Sequence, residues 1–213
     1  MAYLNSTGIS KPITRTNIFV LTYLTVTIYY QKEMKNAARR PSKGSERAKV
    51  VLLILGSYQD ESITRLRNLK QRMMGSGWDR CYLVEDFEAP RMRDGEDEDA
   101  HLTRKSLYWI ERSDACIFVF NAGANNESVG YELKHASDHL PAKLDTTLVA
   151  VDTSGQYAST LVRGHIQKLR NERVTHLATF HDDETLFQAS ITAALSFIRT
   201  LTPVLDIRSD PTY

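Results

Sequence analysis

Cysteine is scarce: Cys81 and Cys116 are the only two among 213 residues. Their spacing supplies neither a disulfide framework nor a thiolate metal site, which fits a reducing, cytoplasmic setting. An excess of one charge is missing too. Lysine and arginine number 27 against 26 acidic residues, a net of +1. That balance argues against a protein dominated by phosphate contacts along polymeric nucleic acid. No apolar run approaches the roughly 20 residues that a membrane-crossing helix needs. The longest, Ile18–Tyr30, has 13 residues, three of them threonine. Neither GxxxxGK[ST] nor GxGxxG occurs, so the two familiar glycine-rich phosphate cradles are absent. What is present, 42% hydrophobic and 25% charged residues, is a globular mix that excludes wholesale disorder, collagen and coiled coil.

The near-neutral total hides an asymmetry. Residues 1–49 hold nine lysines and arginines against two acidic residues, a net of +7. The other 18 basic and 24 acidic side chains leave −6. The chain therefore divides into a basic leader and linker (1–49), a mildly acidic domain (50–202) and a short tail (203–213). Within the leader, Ile18–Tyr30 is rich in β-branched and aromatic residues, which favours a strand or a surface-seeking segment. Membrane contact through 18–30 is the lesser alternative, and a signal peptide lacks its small-residue cleavage site. The polar, basic stretch 32–49 contains Pro41 and Gly44 and reads as a flexible linker. Met34 is an alternative translation start just before it. A poorly ordered tail is the favoured reading of the whole leader.

From Val50 onward, strand and helix signals alternate. Continuous apolar runs mark buried strands at Val50–Leu55, Arg80–Val84, Ala115–Phe120, Thr146–Val151 and Val174–Phe180. Apolar residues at helical spacing mark helices at Ile63–Met74, His101–Arg112, Ser128–His139, Tyr157–Arg173 and Glu184–Leu201. Ser128 is the expected N-cap of the third helix. This alternation predicts an α/β fold. It is a three-layer doubly wound sandwich, flavodoxin-like, with a five-stranded parallel sheet in the order 2-1-3-4-5. Right-handed crossovers make that the economical winding. Ligands of such sheets sit at the carboxyl ends of the strands where the winding reverses. That places the loops Gly56–Glu61 and Asn121–Glu127, with Glu85–Asp86, at the crevice.

Those loops carry the candidate chemistry. Gly56 permits close backbone approach, and Ser57 and Tyr58 add hydroxyls; the same stretch also reads as an ordinary turn capped by Asp60 or Ser62. Glu132 falls in the first turns of the helix that opens at the crevice, where amide dipoles favour an ionised carboxylate. Such a carboxylate suits attack on an anomeric carbon. It equally reads as a solvated residue paired with Lys134 or His135. Other clusters are weaker. His135 and His139 share a helix face without an HExxH motif. Asp94–Asp99 reads as a lid, a hard-cation site or, more simply, an exposed loop. Cys116 lies inside a strand and belongs to the core.

An apolar strand ending Gly56-Ser57-Tyr58, then Ser113-Asp114 before another apolar strand, then a polar loop into Glu132-Leu133 and Ala136, resembles the nucleoside 2-deoxyribosyltransferase superfamily. The order of elements matches over roughly residues 49–200, the recognisable motif over about 20 residues. The resemblance implies that Glu132 is the nucleophile of an N-glycosyl transferase or hydrolase. Its ligand would be a nucleoside, nucleotide or dinucleotide, bound by Gly56, Ser57, Tyr58, Asp86, Asp114, Asn121, Asn126 and Ser128. It implies no metal or cofactor, and a homo-oligomer whose neighbouring subunits complete the pocket; the terminal Tyr213 echoes a residue some members use in that way. Departures are that Asn126 stands where the family has a base-contacting aspartate, Lys134 where it has glycine, and Val129-Gly130 or Ser128-Val129 where it has Gly-Thr. Toll/interleukin-receptor-like domains that hydrolyse NAD are the second resemblance, with Gly130-Tyr131 in place of their Trp-Cys. A nucleotide-binding sensor without turnover is the reading from a different class.

Overall fold

Five short strands, each dominated by apolar residues, form one all-parallel sheet in the order β2-β1-β3-β4-β5. They are β1 (Leu52–Gly56), β2 (Cys81–Leu83), β3 (Ala115–Phe120), β4 (Thr147–Asp152) and β5 (His176–Phe180). The computed structural model describes residues 46–88, 91–171 and 176–209, all within the unit Arg40–Tyr213. The Ile18–Tyr30 run, Met34, the linker as far as residue 45 and Tyr213 lie outside the described residues. β1, β3 and β4 are buried along their whole length, as the unbroken apolar runs require of strands covered on both faces. Their register pairs Leu52 with both Cys81 and Ala115, Gly56 with Val119, and Phe120 with Val151.

Among the described residues the long helices are α1 (Asp60–Gly75), α2 (Glu98–Arg112), α3 (Glu127–His139), α4 (Thr160–Asn171) and α5 (Asp183–Ser209), and a single helical turn, Glu46–Lys49, stands where the flexible linker was expected to end. α1 packs against α5, while α2, α3 and α4 pack in succession. Right-handed crossovers at a reversal of winding produce this division between two faces. The fold is thus the flavodoxin-like three-layer sandwich that the alternation predicts. Phe118, Phe120, Phe180 and Phe197 are among the fully buried side chains at its centre.

Two glycines are set by packing. A Cβ on Gly56 would lie 2.8 Å from Leu66 Cδ2 and 3.2 Å from the Val119 carbonyl oxygen, so α1 sits closely on the end of β1. A Cβ on Gly130 would lie 2.6 Å from Val162 Cγ2, where α3 meets α4.

Several boundaries differ from expectation for local reasons. Helix α2 begins at Glu98 rather than His101 because Asp97 is its N-cap, accepting from the Ala100 amide at 2.7 Å. Asn126, not Ser128, precedes the first turn of α3. Gln59, rather than Asp60 or Ser62, stands at the N-cap position of α1, without a side-chain cap bond. Helix α5 runs through Pro203 to Ser209 rather than stopping at Leu201. Proline removes one backbone donor there, and in the preceding turn the Thr202 hydroxyl donates to the Ile198 carbonyl at 2.7 Å. No described helix is long and apolar enough to cross a membrane.

Candidate functional site

Tyr58 follows β1 into the crevice. Part of its ring stays in solvent, but its hydroxyl turns inward and accepts the Val84 amide hydrogen at 2.8 Å. This ties the end of β1 to the 3-10 turn after β2. Burial pushes the phenol above the ordinary tyrosine range, and the charge of Glu132 pushes it the same way. Ser57 is buried beside it.

Glu132 stands one and a half turns into α3, next to the buried Leu133. It is half-buried. Loss of hydration raises its carboxyl to about 7, and a hydrogen bond from Ser106 of α2 opposes that rise. Amide dipoles at the start of α3 were expected to keep the group ionised; desolvation outweighs them, because burial penalises the charged form directly. The pairings considered for it go elsewhere: Lys134 binds Asp138, and the His135 ring lies 3.7 Å from Glu111. The Cys116 thiol of β3 also senses its charge, although burial is the larger cause of that thiol's upward shift. Ser106 of α2 thus bonds Glu132 of α3, whose charge is felt by Tyr58 beyond the carboxyl end of β1 and by Cys116 near the amino end of β3.

Asn121 and Asn126 do different work from a simple pocket lining. Asn126 Nδ2 donates to the carbonyls of Asn121 at 2.8 Å, Ala124 at 3.1 Å and Tyr157 at 2.5 Å, fastening the β3–α3 loop to the β4–α4 loop. Gly123, at φ 74°, supplies the left-handed turn in between and donates to the Gln156 carbonyl. A cavity of about 410 Å³ opens here, lined by Gly123, Asn125, Asn126, Glu127, Gln156 and Ser159 among others. It lies on the α4 side of α3, whereas Glu132 meets Ser106 on the α2 side, so Asn126 and Glu132 do not share that cavity. Asn121 Nδ2 and Asn126 Oδ1 are both buried without a hydrogen-bond partner.

Two expected ligand contacts hold backbone amides instead. Asp114 stands before the first residue of β3, the length of that strand away from the crevice, and its carboxylate accepts the Val51 amide hydrogen at 2.8 Å. Asp86 faces Lys70 and accepts the Leu83 amide hydrogen at 2.6 Å, which closes the turn after β2. Ser128 is exposed on α3. The acidic run 94–99 is exposed, as the simplest reading expects, except at Glu96, both of whose oxygens accept from Arg104, at 2.7 and 2.6 Å. Among the described residues, no group of three or more His, Cys, Asp or Glu is placed to hold a metal ion.

Sequence reasoning missed one network. Arg65 of α1 donates to Asn121 Oδ1 at 2.8 Å, Asp152 Oδ2 at 3.0 Å and Asp183 Oδ1 at 2.8 Å, with its guanidinium 5.6 Å from the Phe180 ring centre. Burial pushes the Asp152 carboxyl up, but the Ser154 hydroxyl and amide, the Ala122 amide and Arg65 together hold it below the usual range. In the sequence Arg65 is one of several basic residues between the apolar positions of α1. Its spacing does not separate it from Arg67, Lys70 or Arg72. Ser106 was equally silent, since a serine within a helix carries no spacing signal.

No family model matches the chain, and neither the curated proteins nor the solved structures yield a match.

Proposed function

We propose that the protein cleaves an N-glycosidic bond in a nucleoside, nucleotide or dinucleotide, with Glu132 as the attacking carboxylate. The supporting observation is the Glu132 carboxyl, which burial raises to about 7 and whose charge reaches the inward-turned hydroxyl of Tyr58. At neutral pH about half of such groups are ionised, and the ionised form is poorly hydrated and correspondingly nucleophilic. In the proposed reaction a carboxylate oxygen bonds to the anomeric carbon as the carbon–nitrogen bond breaks. The bond's electron pair leaves with the base, which takes up a proton. Water or a second base then attacks the glycosyl ester, releasing Glu132 and forming the hydrolysed or transferred product. The bond pattern needs no metal or cofactor. Ser57 and Tyr58 would border the sugar, and Ser106 would orient the carboxyl.

Incubation with a panel of deoxynucleosides, their 5′-phosphates and NAD, followed by chromatography of released base or nicotinamide, tests this. The expected result is release by the wild-type chain and none by Glu132→Gln with unchanged circular dichroism. Absence of release from every substrate would overturn it.

The cavity on the far side of α3 favours a second reading. A ligand held there lies away from Glu132, as in a sensor that binds without turnover. Calorimetric binding that persists in Glu132→Gln, without product, would support that reading.

A further inference from the structure

The Arg65 network is connected to the start of α3 by an unbroken series of hydrogen bonds. Arg65 holds the Asn121 side chain. The Asn121 carbonyl accepts from Asn126 Nδ2. The Asn126 carbonyl accepts the Gly130 amide hydrogen at 2.9 Å, in the first turn of α3. The same Asn126 side chain holds the Tyr157 carbonyl of the neighbouring loop. Arg65 is itself clamped by two carboxylates, Asp152 from the end of β4 and Asp183 from the start of α5. One guanidinium thus binds groups from the β3–α3 loop, β4 and α5 at the carboxyl edge of the sheet. A lysine could not reproduce this fork, because its ammonium is a point charge on a flexible stem.

We infer that Arg65 is a positioning residue: by locking Asn121 it fixes the β3–α3 loop, and through that loop the point at which α3 begins and the place where Glu132 stands. Its catalytic meaning rests on the Glu132 reading above. Arg65 is not among the groups that set the Glu132 carboxyl directly; those are the surrounding desolvation and Ser106, and the titratable neighbours that sense Glu132 are Tyr58 and Cys116. The connection that the structure provides between Arg65 and Glu132 is therefore the loop.

The test uses the full chain labelled with ¹³Cδ-glutamate, the Glu132 resonance being identified by its loss in Glu132→Gln. Its titration midpoint is compared in the wild type, Arg65→Met, the milder Arg65→Lys and Arg72→Met. Arg72 is a control on the same helix, paired with Glu184 and stacked on Phe187 but making no bond to the loop. With α3 released, Glu132 gains water and its midpoint falls in Arg65→Met by about one unit. Arg65→Lys shows a smaller fall, and Arg72→Met loses stability without a shift. Should Arg65→Met not fold, Arg65→Lys against Arg72→Met decides alone. An unchanged midpoint in both Arg65 variants overturns the inference. These outcomes stand whether or not any nucleoside is turned over, so failure of the glycosidase reading is seen separately, as absence of released base from the wild type.

Discussion

Tyr58 accepts the Val84 amide hydrogen at 2.8 Å with its hydroxyl turned inward, where burial first, and the charge of Glu132 in smaller part, raise its phenol. Tyr58 and Glu132 owe their placement to different causes. Tyr58 is held by a backbone amide of the turn after β2, whereas Glu132 is held by the seating of α3 against α2. Both groups prefer their neutral forms, so the crevice is a place where ionisation is costly.

Stability should therefore depend on pH through Glu132. Its folded value of about 7 lies above the ordinary 4.5, so between those values the folded state binds the extra proton. Stability falls as pH rises through this window, and the penalty is complete above the folded value. Glu132→Gln, which carries no charge, should escape it. Urea unfolding should show the variant gaining on the wild type between pH 5 and pH 8, by up to about 3 kcal/mol. Identical pH dependence in the two proteins would contradict the burial argument.

The same carboxyl predicts the pH profile of any turnover. A nucleophile must be ionised, so kcat/KM should rise with pH to a plateau with a midpoint near the folded value of about 7. In Glu132→Gln the rate should drop by about 10³-fold or more. A profile flat from pH 5 to 9 would assign the chemistry to another group.

Gly130→Ala should cost about 1–3 kcal/mol, because its Cβ would press on the short, branched side chain of Val162. Truncating that neighbour should recover part of the loss, so the double variant Gly130→Ala, Val162→Ala should show a favourable coupling in a thermal or urea double-mutant cycle. Simple additivity would mean that α3 and α4 part freely.

Asn126→Asp, which installs the aspartate of the deoxyribosyltransferase pattern, should loosen the loop rather than restore it. Asn126 acts by donating to three carbonyls, and a carboxylate has no hydrogen to give. The expected loss is about 2–4 kcal/mol in urea unfolding, with faster amide exchange at residues 121–127. Unchanged stability and exchange would remove the fastening role.

Asp114→Ala should destabilise by about 1–3 kcal/mol, since it leaves the Val51 amide without the acceptor that it has at 2.8 Å. Because Asp114 lies at the amino end of β3, ligand affinity should stay within about twofold of wild type by calorimetry. A large loss of affinity in a folded variant would return Asp114 to the site.

The sheet order was legible because strands buried on both faces must be unbroken apolar runs, and VVLLIL, ACIFVF and TTLVAV announce themselves. Once their alternation with helices was clear, handedness left one economical winding. The positions of Tyr58 just after β1 and Glu132 early in α3 followed from that winding. Their ionisation did not, because it depends on how much water packing removes, and no local pattern records that. The family resemblance placed Asp114, and its position after the second strand placed Asp86, among candidate ligand contacts, while tertiary structure bound them to the Val51 and Leu83 amides. Arg65 shows the limit most clearly. Its three partners come from the β3–α3 loop, β4 and α5, so its role exists only once distant segments of the chain meet. Sequence by itself determined which stretches must be strand and helix, since those periodicities are local. Only the folded molecule decided which polar groups face one another, because that choice is made by contacts between residues far apart in the chain.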